Sequence, residues 1–267
     1  MSKTALLIVS FGTTYPQTRH ETIEATENAF QMAFPDAEVF RAFTSKIVVS
    51  RIKQNEDITI DSPQEAIAKI SAAGFDTLYV QSLHLIPGIE YHQVEDAVRA
   101  SASHFKRVVI GRPLLNDFAD YQAIVHFLKQ IGSPLAADEA VLFMGHGTAN
   151  SAFTAYACLD HMLMDSQHYM GAVESYPDIQ FEIGRLKAAG TKKVRLQPFM
   201  LVAGNHAHND MASDAPDSWQ SQLQRAGIQV TPVQKGMGAY PEIQQQFVAH
   251  LKRQLAAPSA AETKGGM

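Results

Sequence analysis

Four residues in this chain stand out as able to do chemistry: His146, Glu174, His206 and Glu90. His146 lies in MGHGT, between glycines that let the backbone turn sharply and leave the imidazole uncrowded. His206 opens HAHNDM, and a helix capped by Asn205 would put His206 and Asp210 on one face at i, i+4. His208 would then point elsewhere, and Asn209 or Asp210 would orient the His206 ring. Glu174 follows small apolar residues in AVESYP, and Glu90 stands in IPGIEY. A near-neutral imidazole accepts protons and holds borderline divalent ions, and carboxylates complete such a site or orient its histidines. An incomplete set of protein ligands leaves positions open for a substrate's own donor atoms.

Plainer readings compete at each position. His146 could cap a helix in a phosphate-type loop, but no G-x-x-x-x-G-K-[ST] and no strand-following G-x-G-x-x-G accompanies it. His206 could belong to a polar surface loop, Glu174 to an exposed strand end, and Glu90 to a solvated first helical turn. Among the other histidines, His84 reads as packed behind a site. His161 reads as structural. His20, His104, His126, His168 and His250 fall on polar helical stretches and read as solvated.

The elements that position these residues alternate between short apolar runs and longer amphipathic ones. ALLIVSFG (5–12) and AVLFMGHG (140–147) are continuous apolar runs ending in glycine, the pattern of a parallel strand buried on both faces. Further strands are read at 38–45, 77–88, 107–115, 171–177, 193–204 and near Ile228, with helices between, including 14–33 and 179–190. This grammar predicts βαβ units and a mainly parallel sheet. It also repeats in letters. An offset of 116 lays Ala72, Ala73, Gly74, Gln81, Leu85 and Gly88 over Ala188, Ala189, Gly190, Gln197, Leu201 and Gly204 without a gap. An offset of 135 lays SFGT (10–13) over GHGT (145–148). The reading is two similar α/β domains, 1–125 and 126–267, each with a four-stranded mainly parallel sheet flanked by helices and a cleft between them. The second carries most of the metal ligands. The last helix packs back on the first domain, and the tail from Ala256 is frayed. Ligands of such sheets bind beyond the carboxyl ends of the strands, which is where Ser10, Thr13, Glu90, His146, Glu174 and His206 fall.

Composition narrows the function. With 267 residues and 46% hydrophobic content the chain has material for a real core, which excludes disorder as its main state. A net charge of −5 argues against a general nucleic-acid binder. The single cysteine, Cys158, excludes an intrachain disulfide or a cysteine-rich zinc site. The run at 5–9 is too short for a membrane span and lacks signal-peptide features, so a cytoplasmic protein with no membrane partner is expected.

The strings VSFGT, FRAFTS, VQSLH, FMGHG, YACLDHM, GAVESYP, HAHNDMASD and DSW resemble the CbiK-type anaerobic cobaltochelatases, which insert cobalt into sirohydrochlorin. The resemblance runs from about residue 4 to 254. It implies the class II chelatase fold, two α/β domains around a tetrapyrrole cleft, in cobalamin biosynthesis. It makes His146 the proton acceptor and a metal ligand, with Glu174 and His206 as further ligands. Glu90, with Ser10 and Thr13, then lines the tetrapyrrole cleft. Co2+ is the substrate metal, and the ligand types equally suit Fe2+, Ni2+ and Zn2+. Lys46, Arg51 and Arg112 are candidate anchors for the substrate carboxylates, with plain surface roles as the rival. Some relatives hold haem between subunits through a histidine in the place of His92; an exposed helix histidine is the preferred reading here. A homo-oligomer is compatible with the family. Two other functions stay open: a ferrochelatase acting on sirohydrochlorin or a related porphyrin, and a carrier of tetrapyrrole or metal without turnover. A carrier needs no proton acceptor, so His146 favours the enzyme.

Overall fold

The computed structural model describes residues 3–257. Strands β1 (Thr4–Ser10), β2 (Ala37–Phe43), β3 (Thr77–Ser82) and β4 (Arg107–Ile110) form one sheet in the order β2-β1-β3-β4. Strands β5 (Glu139–Gly145), β6 (His168–Ala172), β7 (Lys193–Phe199) and β8 (Gln229–Pro232) form a second in the order β6-β5-β7-β8. All pairings are parallel. Parallel neighbours need crossover connections, and helices supply them. In the first half these are α1 (Pro16–Arg19), α2 (Ala25–Ala33), α3 (Lys46–Glu56), α4 (Pro63–Ala72) and α5 (Ile89–Ser101). Then come α6 (Phe118–Gln130), α7 (Thr154–Met162), α8 (Ile179–Ala188), α9 (Trp219–Arg225) and α10 (Pro241–Ala256). The central strands β1 and β5 are buried on both faces, hence their continuous apolar runs.

The duplication holds in the backbone. An offset of 135 carries Thr4–Ser10 onto Glu139–Gly145, and one of 116 carries Pro63–Ala72 onto Ile179–Ala188. Gly74 and Gly190 end those two helices at φ of 79° and 75°, a turn glycine makes without strain. The matched glutamines also do the same work. The Gln81 amide donates to the Arg112 carbonyl (2.9 Å) and the Gln197 amide to the Lys235 carbonyl (3.3 Å). Each ties a third strand to the segment after the fourth. The two halves share one apolar core, where Leu6, Ile8 and Phe43 meet Phe143, Phe199 and Phe247. The opposite sheet faces have separate cores, around Leu7, Ile67 and Val94 in the first half and Leu142, Leu186 and Trp219 in the second.

Several local readings need correction. The strand expected at 171–177 runs over His168–Ala172 instead, because the chain folds back there: the Ala172 amide donates to the Pro177 carbonyl at 2.7 Å. Three helices escape the periodicity reading, Lys46–Glu56, Phe118–Gln130 and the short Trp219–Arg225. The first hides behind β-branched Ile47, Val48 and Val49, yet Ser45 caps it by accepting from the Val48 amide. The second runs unbroken across residues 125 and 126. The helix read at 14–33 contains a wide π-type turn, His20–Glu24. The tail is expected to fray from Ala256, but Ala256 still belongs to α10, and the rest of that tail from residue 258 lies outside the described residues.

Two histidines read as solvated are buried. His168 opens β6 and its Nε2 lies 2.9 Å from the Ile131 carbonyl. His250 on α10 is 1% exposed, with Nε2 2.9 Å from Asp120. Asp120 also accepts from Arg253 at 2.8 Å and caps α6 reciprocally with Asp117. The α10 helix packs on α2, β3 and β4, so this one carboxylate anchors it to the first half and to α6. Burial pushes the Asp120 carboxyl up, but the Arg253 hydrogen bond and the His250 charge more than offset this and leave it below the ordinary carboxylate value. A depressed folded-state value gives stability that is present above the unfolded value and lost as pH falls through the folded one. Asp120→Ala should therefore cost about 3–5 kcal/mol in urea unfolding at neutral pH. The gap to wild type should narrow on acidification. A loss under about 1 kcal/mol would show that α10 is held by apolar packing alone.

Candidate active site

Both sheets send their carboxyl ends to the same region. His146 follows β5 directly, and Gly147 beyond it takes φ of 95°. A Cβ on Gly147 would lie 2.9 Å from the Ser175 amide nitrogen, so this turn requires glycine and sets the direction of the imidazole. His206 follows β7 and leads into a single wide turn, Ala207–Met211, which brings Asp210 beneath its ring. The two histidines, 60 positions apart, meet with their Nε2 atoms 3.0 Å from each other. The rings stand at 88° with centroids 4.4 Å apart, closer than a head-on nitrogen contact allows, so the nitrogens meet at an angle.

Hydrogen bonds assign the tautomers. His146 Nδ1 lies 3.0 Å from the Gly147 carbonyl, which can only accept. His206 Nδ1 lies 2.5 Å from Asp210 Oδ2. Both Nδ1 atoms therefore carry hydrogen, and both Nε2 atoms turn a lone pair toward the shared space. Two lone pairs directed into one space at 3.0 Å form a place that a single cation can share. Ligand distances of ~2.0–2.1 Å put neighbouring nitrogens on one ion roughly 2.9–3.4 Å apart. The observed separation falls within that window.

The other candidates distribute around this pair. Glu174 comes to His146, with Oε2 3.9 Å from Nδ1, the edge facing away from His206. The reading of Glu174 as a third metal ligand thus meets a different geometry, in which the carboxylate faces the proton-bearing nitrogen. Among the described residues no three His, Cys, Asp or Glu side chains converge as a ready-made metal cage. Glu90, in the first turn of α5, makes no ion pair with either histidine among the described residues. It sits on the same end of the molecule, where its charge acts on buried Tyr156, the ring packed under the His146 turn. Burial, the larger effect, pushes the Tyr156 hydroxyl up to about 12. His84, behind Glu90, lies 2.7 Å from the Ser82 hydroxyl through Nδ1, and burial pushes it down to about 4. It is a neutral packed histidine.

Ser10 and Thr13 are buried at 1% and 3%, so neither offers its side chain to a cleft as expected. Between them Phe11 is 46% exposed. The offset of 135 makes Phe11 the counterpart of His146, a signal present in the sequence alignment of the two halves that a search restricted to polar residues passes over. Four buried polar atoms lack a partner at strand ends or in the loops just beyond: Ser10 Oγ, Thr44 Oγ1, His84 Nε2 and Ser175 Oγ. Unpaired buried groups cost about 1–3 kcal/mol each, and here they gather at the functional end of the sheets. Lys46, Arg51 and Arg112 are exposed on α3 and after β4, and none is in an ion pair among the described residues. His92 is on the outer side of α5, 55% exposed, with Nδ1 3.0 Å from Glu95.

The family model for cobalt chelatase (CbiK) matches residues 4–256. A sirohydrochlorin cobaltochelatase of Salmonella typhimurium is 44% identical over 95% of this chain and 97% of its own length. Sirohydrochlorin cobaltochelatase CbiKC of Nitratidesulfovibrio vulgaris is 31% identical over 96% of this chain and 92% of its own. Among solved structures, SirB from Bacillus subtilis with Fe3+ superimposes at a TM-score of 0.62 and 15% identity, covering 98% of both chains. CbiX, the terminal enzyme of sirohaem biosynthesis in denitrifying bacteria, superimposes at 0.58 and 20% identity, over 95% of this chain and 100% of that one. These two likenesses establish the fold, and the near-full-length sequence matches establish more: this chain belongs to the cobalt chelatase (CbiK) family.

Proposed function

We propose that this protein inserts Co2+ into sirohydrochlorin, a metal-chelating step of cobalamin biosynthesis. The observation that carries this reading is the His146–His206 pair, two free Nε2 lone pairs 3.0 Å apart at the joined ends of both sheets. Near-full-length identity of 44% to a protein named for that reaction supplies the substrates.

Metallation exchanges one divalent ion for two pyrrole protons. Both Nε2 atoms hold the incoming ion as it sheds water, and the open coordination positions admit macrocycle nitrogens. As the ion passes from His146 to a pyrrole nitrogen, the freed Nε2 lone pair takes that pyrrole's proton. The imidazolium so formed has Glu174 at 3.9 Å and the Gly147 carbonyl at 3.0 Å on its other nitrogen. Solvent receives the proton, and the second leaves by the same route. His206 keeps its hold through Asp210, which fixes the orientation of its ring. Exposed Phe11 and Ile89 offer apolar contact to the macrocycle faces, and Lys46, Arg51 and Arg112 offer charge to its carboxylates.

The test follows the absorbance of sirohydrochlorin with Co2+ and catalytic amounts of protein. His146→Ala should lower turnover by about 10²–10⁴-fold even at saturating Co2+. His206→Ala should instead raise the Co2+ needed for half-maximal rate, with part of the turnover recovered by excess metal. Identical turnover, metal dependence and pH profile in the two variants would contradict distinct roles. Asp210→Asn should weaken Co2+ binding by about 10–100-fold in a direct titration, and an unchanged affinity would remove Asp210 from the site.

A further inference from the structure

The loop that carries His206 is held from two sides, and one of those sides belongs to the other half of the molecule. Within its own half, a Cβ on Gly236 would lie 2.6 Å from the Leu201 carbonyl, and the Gln234 amide donates to the Ala207 carbonyl at 3.3 Å. From the first half comes the segment after β1. The Tyr15 ring stacks on the His208 ring, with centroids 4.4 Å apart and planes within 5°. The Thr18 hydroxyl donates to the Ala203 carbonyl at 3.5 Å, and Thr13 Oγ1 would be 3.5 Å from a Cβ on Gly204. His208 Nδ1–H donates back to the Gly204 carbonyl at 2.9 Å, which locks its ring against rotation.

His208 is two residues from His206 and, on the reading above, touches neither metal nor macrocycle. Asp210 fixes how the His206 ring is rotated, but not where the whole turn stands relative to His146. The stack supplies that second constraint. Parallel rings resist being pulled apart along their common normal. The first half also carries Thr13 and Tyr15 on the turn that Gly12 makes at φ of 91°, the counterpart of the Gly147 turn under His146. Both strand-tip turns are closely packed, Gly12 against Phe43 and Gly147 against Ser175, and Tyr15–His208 is the aromatic bridge from the first of them to the His206 loop.

We propose that Tyr15 and His208 form a clamp across the two halves that sets the His146–His206 separation, and with it the affinity for the metal. They are positioning residues, and the inference rests on the reading of His146 and His206 as the pair that holds the ion. The test is a direct Co2+ titration of the full chain without tetrapyrrole, followed by visible absorbance, beside thermal melts and steady-state rates. Tyr15→Ala and His208→Ala should each weaken Co2+ binding by about 10-fold or more, the size of effect seen for groups that orient a ligand from behind. Tyr15→Phe keeps the ring and should stay within about twofold of wild type. The double alanine variant should bind no more weakly than the weaker single, because both changes remove one contact. At saturating Co2+ the turnover should fall by less than the half-saturating concentration rises.

Alanine variants that bind Co2+ like wild type and only melt earlier would reduce the stack to packing and overturn the clamp, as would losses that multiply in the double variant. Should the alanine variants not fold, Tyr15→Leu and His208→Phe give the same test: the first removes the ring and should lose affinity, the second keeps a ring and should lose less. Equal affinities in those two overturn the proposal. Wild-type protein that binds Co2+ but leaves sirohydrochlorin unmetallated would remove the proposed function and leave the clamp standing. Wild type that binds no Co2+ overturns the clamp.

Discussion

Two imidazole nitrogens stand 3.0 Å apart, each on a ring whose other nitrogen already donates to a fixed oxygen. The turns and loops around them fix that spacing. A proton and a divalent metal compete for the same two lone pairs, and metallation of a tetrapyrrole is itself an exchange of protons for a metal. Among the described residues no third His, Cys, Asp or Glu side chain joins the pair in a cluster.

Holding two side chains 60 residues apart at that spacing is a problem of scaffold rigidity. The fold solves it with two parallel sheets of the same 2-1-3-4 order whose carboxyl ends meet. Within the second half, β5 and β7 are adjacent, so His146 and His206 leave neighbouring strand tips. A glycine turn aims the first and Asp210 orients the second. The first half keeps the same architecture but has Phe11 where its twin has His146 and Glu90 where its twin has His206. Duplication followed by divergence leaves a histidine pair in one half and an apolar side chain and a carboxylate at the matching positions of the other.

Much of this was legible in the residues alone, and the reasons for the failures are specific. Continuous apolar runs ending in glycine gave the central strands, and the two offsets gave the duplicated topology, because β-strand burial and left-handed glycine turns leave marks in local sequence. His146, His206 and Asp210 were visible from spacing. The contacts of Glu174 with the Nδ1 edge of His146, and of Tyr15 with His208, were not. Both depend on how separate loops fold back over the strand ends, which no local pattern encodes. His250 looked solvated because its helix is polar, whereas its buried partner, Asp120, lies 130 residues away. Helix α3 was lost to its run of β-branched residues, where capping by Ser45 and tertiary contact outweigh propensity.

X-ray absorption of the Co2+-loaded chain, without tetrapyrrole, tests the central claim most directly. Two imidazole nitrogens at ~2.0–2.2 Å should appear in the first coordination shell, with one lost in His146→Ala and one in His206→Ala. A shell of oxygen atoms alone, or a spectrum indifferent to both substitutions, would contradict the account.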